Sequence, residues 1–187
     1  MPASGAIDLS PAAAWVIAAV AAVAVVTDLR SGRIPNWLTL PALGAGLVFS
    51  MFTGGWQGLG LSFLAAGCAL VLLGWMFAIR VMGGGDVKLL MALSAWSTPK
   101  FAVESALLSV LLGGLMAAGI LLVRGRMGGF VRKMHAFLLS VIVKDLELAT
   151  PKFDRNLTMP YGVAIAAAAV WTIWAWPLRK WGVLPWG

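Results

Sequence analysis

Residues 34–79 read IPNWLTLPALGAGLVFSMFTGGWQGLGLSFLAAGCALVLLGWMFAI, a run of 46 positions without a charged side chain. A helix that crosses a bilayer needs about 20 consecutive apolar residues, so this run is too long for one crossing. Its glycine-rich polar point, TGGWQG at 53–58, favours a turn. The run therefore predicts two membrane-spanning helices, over 37–52 and 59–79, joined at that turn.

The rest of the chain has the same apolar character. Hydrophobic residues make up 61% of the 187 residues and charged residues 11%, with a mean hydropathy of +0.93, whereas soluble domains average about 25% charged residues. This composition excludes a water-soluble globule and predicts an all-α polytopic membrane protein, with one membrane-embedded domain over 1–187. The six predicted spans are 10–28, 37–52, 59–79, 86–97, 104–123 and 159–177. The fourth is short for a bilayer, so we expect it inside the helix bundle.

The segment 124–155, between the fifth and sixth spans, is the most polar part of the chain. It carries ten charges, of which seven are basic. Apolar residues recur in it at helical spacing, which predicts an amphipathic helix on the cytoplasmic surface that serves mainly as an anchor. His135 lies in this segment without partner ligands, so we expect no metal role for it.

The basic residues predict the orientation. With the N-terminus outside, 11 of the 14 Lys and Arg residues fall on the cytoplasmic side and 3 on the outer side, as the positive-inside rule requires. Six spans then place both termini in the periplasm. The net charge of +7 is accordingly attributed to contact with anionic lipid, and no nucleic-acid partner is expected.

Two carboxylates fall on the cytoplasmic side near the hydrocarbon boundary, Asp28 at the end of the first span and Asp86 at the start of the fourth. An acidic residue beside membrane-depth helices is energetically costly and indicates function. Structural roles stay open, since Asp86 precedes an apolar run and suits a helix cap, and Asp28 has Arg30 and Arg33 nearby as ion-pair partners. The remaining carboxylates lie on the outer side or in the charged segment: Asp8, Glu104, Asp145, Glu147 and Asp154.

Three glycines, Gly83, Gly84 and Gly85, directly precede Asp86. Without Cβ atoms they allow another backbone to approach closely, as an extended peptide substrate needs; a flexible hinge is the alternative. Two carboxylates brought together share one proton, so that one activates water as a base while the other donates to the scissile carbonyl. This chemistry needs no metal or cofactor, and we expect none. Cys68 is the single cysteine of the sequence, which excludes a paired-cysteine metal site.

Residues 83–96, GGGDVKLLMALSAW, closely resemble the GxGD segment of type IV prepilin peptidases, which are membrane aspartic proteases. Residues 28–39, DLRSGRIPNWLT, resemble that family's first catalytic segment, an Asp followed seven residues later by Pro-Asn or Pro-Asp. Residues 159–166, MPYGVAIA, are similar to the start of its last span. GxGD alone is shared with presenilin-like proteases, but the three segments in the family's order form a specific combination.

The resemblance implies that Asp28 and Asp86 are the catalytic pair. The substrate-binding or site-shaping residues that it implies are Gly83, Gly84, Gly85, Lys88, Pro35 and Asn36. The implied activity is removal of a short basic leader from prepilins or pseudopilins at the cytoplasmic face of the bacterial inner membrane. Larger relatives also N-methylate the new pilin terminus and carry an N-terminal insertion with paired CxxC motifs. Because this sequence has one Cys and begins directly with its first span, we expect the compact form found with tight-adherence (Flp-type) pili, without methylation.

Two other classes of membrane protein compete with this interpretation. A small transporter or channel also places acidic residues at broken helices, but it predicts charged groups at mid-span, and the six spans contain none. A structural scaffold accounts for the apolar bulk but not for two matched Asp segments. The sequence therefore favours the protease.

Overall fold

The computed structural model describes residues 10–78, 82–123, 125 and 161–180. Every regular element in these residues is an α-helix, which confirms the all-helical prediction for this part of the chain. The helices are α1 (Pro11–Ser31), α2 (Asn36–Ala78), α3 (Gly84–Ser94), α4 (Pro99–Val123) and α5 (Tyr161–Lys180). The predicted amphipathic segment, with His135, lies outside the described residues.

Helix α1 has clear start and stop signals and carries Asp28 on its buried face. Ser10 caps its start, since the Ser10 Oγ accepts from the Ala13 N–H at 3.2 Å. It ends at Gly32, which has a left-handed φ of 61° and donates its N–H to the Asp28 carbonyl oxygen at 2.8 Å. The buried residues recur every third or fourth position: Ala13, Ile17, Ala21, Ala24 and Asp28. Asp28 therefore ends an inward-facing stripe of small and branched residues.

Helix α2 bends back on itself at Gly55, inside the 53–58 segment. Gly55 has φ 60° and ψ −150°, a conformation that is essentially confined to glycine. The two arms pack closely after the bend, because a Cβ on Gly58 would overlap the Ser50 carbonyl oxygen. Both arms hold the end of α3, since the hydroxyls of Ser50 and Ser62 donate to the Ala95 carbonyl oxygen.

Helix α3 is a short, buried helix. Its 11 residues rise about 16 Å at 1.5 Å per residue, roughly half of a 30 Å hydrocarbon core. Leu89, Leu90 and Leu93 have no exposed surface, and the Trp96 indole N–H just beyond the helix donates to the Ala42 carbonyl oxygen at 2.8 Å. Protein covers most of α3, which allows a helix of this length at membrane depth.

Among the described residues, three helices are long and apolar enough to cross a membrane: Pro11–Ser31, Asn36–Ala78 and Pro99–Ile120. Large apolar side chains stand exposed on them, among them Trp15, Phe52 and Phe63. A surface of this kind is suited to lipid and unsuited to water. The described helices are those of an integral membrane protein.

The chain divides into two compact units, residues 1–112 with 160–187 and residues 113–159. The first unit contains Asp28, Asp86 and all the contacts described below. The described part of the second unit is the end of α4 together with residue 125. The single domain over 1–187 stays a prediction.

Candidate active site

Asp28 is a buried carboxylate held by a backbone amide. Its side chain is 5% exposed, and its Oδ2 accepts from the Gly162 N–H, at the start of α5, at 2.9 Å. Arg30 and Arg33, the ion-pair partners suggested by the sequence, are exposed. An anionic side chain at a helix N-terminus is electrostatically favourable. The start of α5 therefore supplies part of the charge compensation for Asp28.

Asp86 lies in the first turn of α3 and is half-buried. Its Oδ2 accepts from the Gly83 N–H at 3.2 Å, so the side chain reaches back to the residue that precedes the helix. Asp86 thus has the local capping role that its position suggested. This role occupies one carboxylate oxygen and is compatible with chemistry at the other.

The two carboxylates interact with each other. The charge of Asp28 acts on Asp86, so the two carboxylates lie within electrostatic range of each other. The structure therefore brings the two predicted aspartates to one site, as the sharing of one proton requires.

The Ile34 side chain packs against residues next to both carboxylates. A Cβ on Gly85, next to Asp86, would lie 3.2 Å from the Ile34 Cβ, and a Cβ on Gly162 would lie 2.9 Å from the Ile34 Cδ1. The same apolar side chain thus touches the glycine beside one aspartate and the glycine that binds the other. It is 8% exposed and contributes low-dielectric surroundings to both carboxylates.

The glycines before Asp86 pack against the chain itself. A Cβ on Gly83 would lie 3.1 Å from the Asp86 Oδ2, and one on Gly84 would lie 3.2 Å from the Phe77 ring. A Cβ on Gly85 would lie 3.1 Å from the Ile34 carbonyl oxygen. All three distances are shorter than ordinary van der Waals contact. Side chains at these three positions would therefore disturb the start of α3.

The other predicted site residues lie where α2 begins. The Lys88 Nζ donates to the Asn36 Oδ1 at 3.0 Å, and both side chains are exposed. The Pro35 carbonyl oxygen accepts from the Leu38 N–H at 3.1 Å, which starts the first turn of α2. The Lys88–Asn36 bond therefore ties the Asp86 helix to the segment that follows Asp28.

A mainly apolar groove of about 320 Å³ lies between α2 and α3. Gly84, Val87, Lys88 and Met91 form its α3 wall, and both arms of α2 form the rest. Neither Asp28 nor Asp86 lines it. Among the described residues, no three His, Cys, Asp or Glu side chains are grouped as a metal site requires.

Comparison with known proteins gives the family. Residues 15–118, which include both aspartates, match the Type IV leader peptidase family. The chain belongs to that family. Over 117 residues it is 36% identical to a prepilin leader peptidase/N-methyltransferase of Aeromonas hydrophila and 35% identical to proteins of the same name from Aeromonas salmonicida, including strain A449.

These alignments cover 59% of this type IV leader peptidase family member and 38–39% of the relatives. The chain therefore spans less than two-fifths of the length of the curated relatives that it matches. No solved structure of another protein matches it significantly.

Two residues of the site were not predicted as such from the sequence. Gly162 supplies a backbone donor, and its signal was indirect: a glycine in MPYG at the start of an apolar run, in a segment already noted for its resemblance to the family. Ile34 carries no signal, because a buried apolar residue near an aspartate looks like any other core residue.

Proposed function

We propose that this member of the Type IV leader peptidase family is an aspartic endopeptidase. It removes the short basic leader of prepilins or pseudopilins at the cytoplasmic face of the bacterial inner membrane. The observation that carries the proposal is the placement of the two aspartates around Ile34, which lies against Gly85 beside Asp86 and against Gly162, whose amide binds Asp28. The names of the Aeromonas relatives, prepilin leader peptidase/N-methyltransferase, support a prepilin as the substrate class.

The pair divides the work between a base and an acid. Asp28, ionised and bound by the Gly162 amide, takes a proton from a water molecule, whose oxygen adds to the scissile carbonyl carbon. Asp86, which holds the proton that the pair shares, gives it to the carbonyl oxygen, forming a gem-diol. As the C–N bond breaks, Asp28 passes its proton to the leaving amine, and a gem-diol hydroxyl returns one to Asp86. Both carboxyls end the cycle as they began.

The proposed topology has six spans, with the two arms of α2 counted separately and α3 as the short fourth span. Both termini are periplasmic, both aspartates and the 124–155 loop are cytoplasmic, and the loop carries an amphipathic helix. The 11-to-3 distribution of basic residues supports this orientation. The site then lies on the side of the membrane where an unprocessed prepilin presents its leader.

The substrate is further proposed to be a tight-adherence (Flp-type) prepilin, cleaved without N-methylation by these 187 residues. The support is the single cysteine of the sequence, which leaves no paired CxxC motif within it. Gly83, Gly84, Gly85, Lys88, Pro35 and Asn36 are assigned to shaping the site.

The test is cleavage of a peptide by purified protein in liposomes. The probe has a short basic leader ending in Gly, followed by an apolar helix, and mass spectrometry of the products gives both the cut position and any methyl group. We expect cleavage after the Gly and an unmethylated new terminus. Asp86→Asn should abolish cleavage, whereas the matched control Asp154→Asn should cleave normally.

Failure of the unaltered protein to cut this peptide, or full activity in Asp86→Asn, contradicts the proposed mechanism. A methylated product contradicts the absence of methyltransferase activity and leaves the peptidase assignment intact. The expectation that no metal is needed is checked in the same assay, since activity should survive EDTA.

A further inference from the structure

The hydrogen bond between Asp28 and Gly162 links the end of α1 to the start of α5. The residues are 134 positions apart, and the Gly162 N–H approaches the Asp28 Oδ2 to 2.9 Å in a buried setting. The family match ends at residue 118, so it includes the aspartate but not the glycine. The donor to Asp28 therefore comes from a part of the chain that this match does not cover.

A side chain at Gly162 would meet the Asp28 carboxylate and the Ile34 side chain. A Cβ there would lie 2.8 Å from the Asp28 Oδ2 and 3.2 Å from its Cγ, and 2.9 Å from the Ile34 Cδ1. Real Cβ atoms essentially never approach other atoms within 3.0 Å. A side chain here would therefore displace the Asp28 carboxylate or Ile34 from the positions that they take beside glycine.

A second contact fixes the turn that carries the amide. The Tyr161 hydroxyl donates to the Ser109 carbonyl oxygen of α4 at 3.1 Å. The amide of the next residue is therefore held between α4 on one side and the carboxylate of α1 on the other.

From these contacts we infer that Gly162 is a positioning residue for Asp28, whose amide fixes the carboxylate in the orientation that takes a proton from water. The inference rests on the proposed peptidase function. A charge-assisted hydrogen bond from a backbone amide is short, directional and roughly twice as strong as a neutral one. It sets the carboxylate in place before substrate arrives, so its contribution belongs to the rate of the chemical step and not to substrate binding.

The matched pair Gly162→Ala and Gly46→Ala tests this role. A Cβ on Gly46 would lie 2.9 Å from the Trp96 Cδ1, an equally tight overlap that is part of the α2–α3 packing and not of the carboxylate site. In the liposome assay, with rates expressed per folded molecule, Gly162→Ala should lower kcat by about 10- to 100-fold, the loss expected for a hydrogen bond to a charged group. KM should be unchanged, and Gly46→Ala should keep its kcat.

A double substitution separates positioning from simple overpacking. Ile34→Val in the Gly162→Ala background removes the Ile34 Cδ1, so it relieves the apolar overlap but leaves the overlap with the carboxylate. Thermal stability should then recover in part while kcat stays low. Recovery of kcat in the double variant, or equal loss in Gly46→Ala, overturns the inference.

A spectroscopic readout does not depend on substrate. The infrared carboxylate band that Asp28→Asn removes should shift in Gly162→Ala and stay in place in Gly46→Ala, because the first substitution alone disturbs the hydrogen bond. An unshifted band contradicts the inference. If the unaltered protein cleaves no peptide but the band shifts, the contact stands and the proposed function fails; if Gly162→Ala cleaves at the normal kcat, the inference fails alone.

Discussion

At the scale of single residues, the protonation of Asp86 makes a prediction about pH. The proposed mechanism uses Asp86 protonated beside an ionised Asp28. A carboxyl loses its proton as the pH rises, so kcat should fall on the alkaline side of the profile. On that limb the protonated fraction, and with it kcat, decreases about tenfold per pH unit. Initial rates in liposomes at saturating peptide measure this limb.

The same peptide is used with every variant, so the ionisation of its own groups contributes equally to every pH profile. Asp154→Asn, which removes a carboxylate remote from the pair in sequence, should show the same alkaline limb. A kcat that rises steadily between pH 7 and 9 would contradict the assignment of the proton to Asp86.

The two aspartates could be nominated from sequence because charges are rare in so apolar a chain. A carboxylate at the edge of a charge-free stretch stands out, and the resemblance made the pair specific. The hydrogen-bond donor to Asp28 could not be predicted in the same way. Every residue other than proline carries a backbone N–H, so a donor such as Gly162, 134 positions away, leaves no mark in composition or spacing.

At the scale of elements, the bend in α2 depends on the backbone of one glycine. Gly55 has φ 60° and ψ −150°, whereas neighbouring Gly54 has no left-handed φ and no atom within 4 Å of a Cβ position. Gly55→Ala should therefore destabilise the protein by about 1–3 kcal/mol through backbone strain. Gly54→Ala should have little effect. Thermal unfolding of the two variants in detergent is the measurement, and equal melting temperatures would show that the bend does not need glycine.

The helices extend beyond the apolar stretches from which the spans were predicted. Helix α4 begins at Pro99, before Lys100 and Glu104, and α1 continues through Asp28 and Arg30 to Ser31. Charges end an apolar stretch but do not end a helix, because a charged side chain in the last or first turn reaches the interface. The start and stop signals that matter are backbone ones, such as Gly32 in its left-handed conformation.

At the scale of the whole molecule, the proposed orientation predicts which positions can be labelled from each side. Each juxtamembrane basic residue contributes about 1 kcal/mol of attraction to an anionic leaflet, and 11 of 14 fall on the proposed cytoplasmic side. On a Cys68→Ala background, Ser31→Cys should react with an impermeant thiol reagent from the cytoplasmic side. Gln57→Cys, beside the bend of α2, should react from the periplasmic side.

The reverse labelling pattern would show that the orientation is inverted. The site would then face away from an unprocessed leader, and the proposed substrate would be wrong even if the carboxylate chemistry were right. Both positions are exposed in the first unit, so a lack of reaction from either side cannot be attributed to burial within that unit.

The central claim is that Asp28 and Asp86 act as one unit. Single-turnover cleavage of the basic-leader peptide by Asp28→Asn, by Asp86→Asn and by the double variant, at matched amounts of folded protein, tests it most directly. Residues that act as a unit are strongly non-additive, so each single variant should lose as much activity as the double. A single variant that retains substantial cleavage, or two partial losses that multiply in the double variant, would contradict the claim.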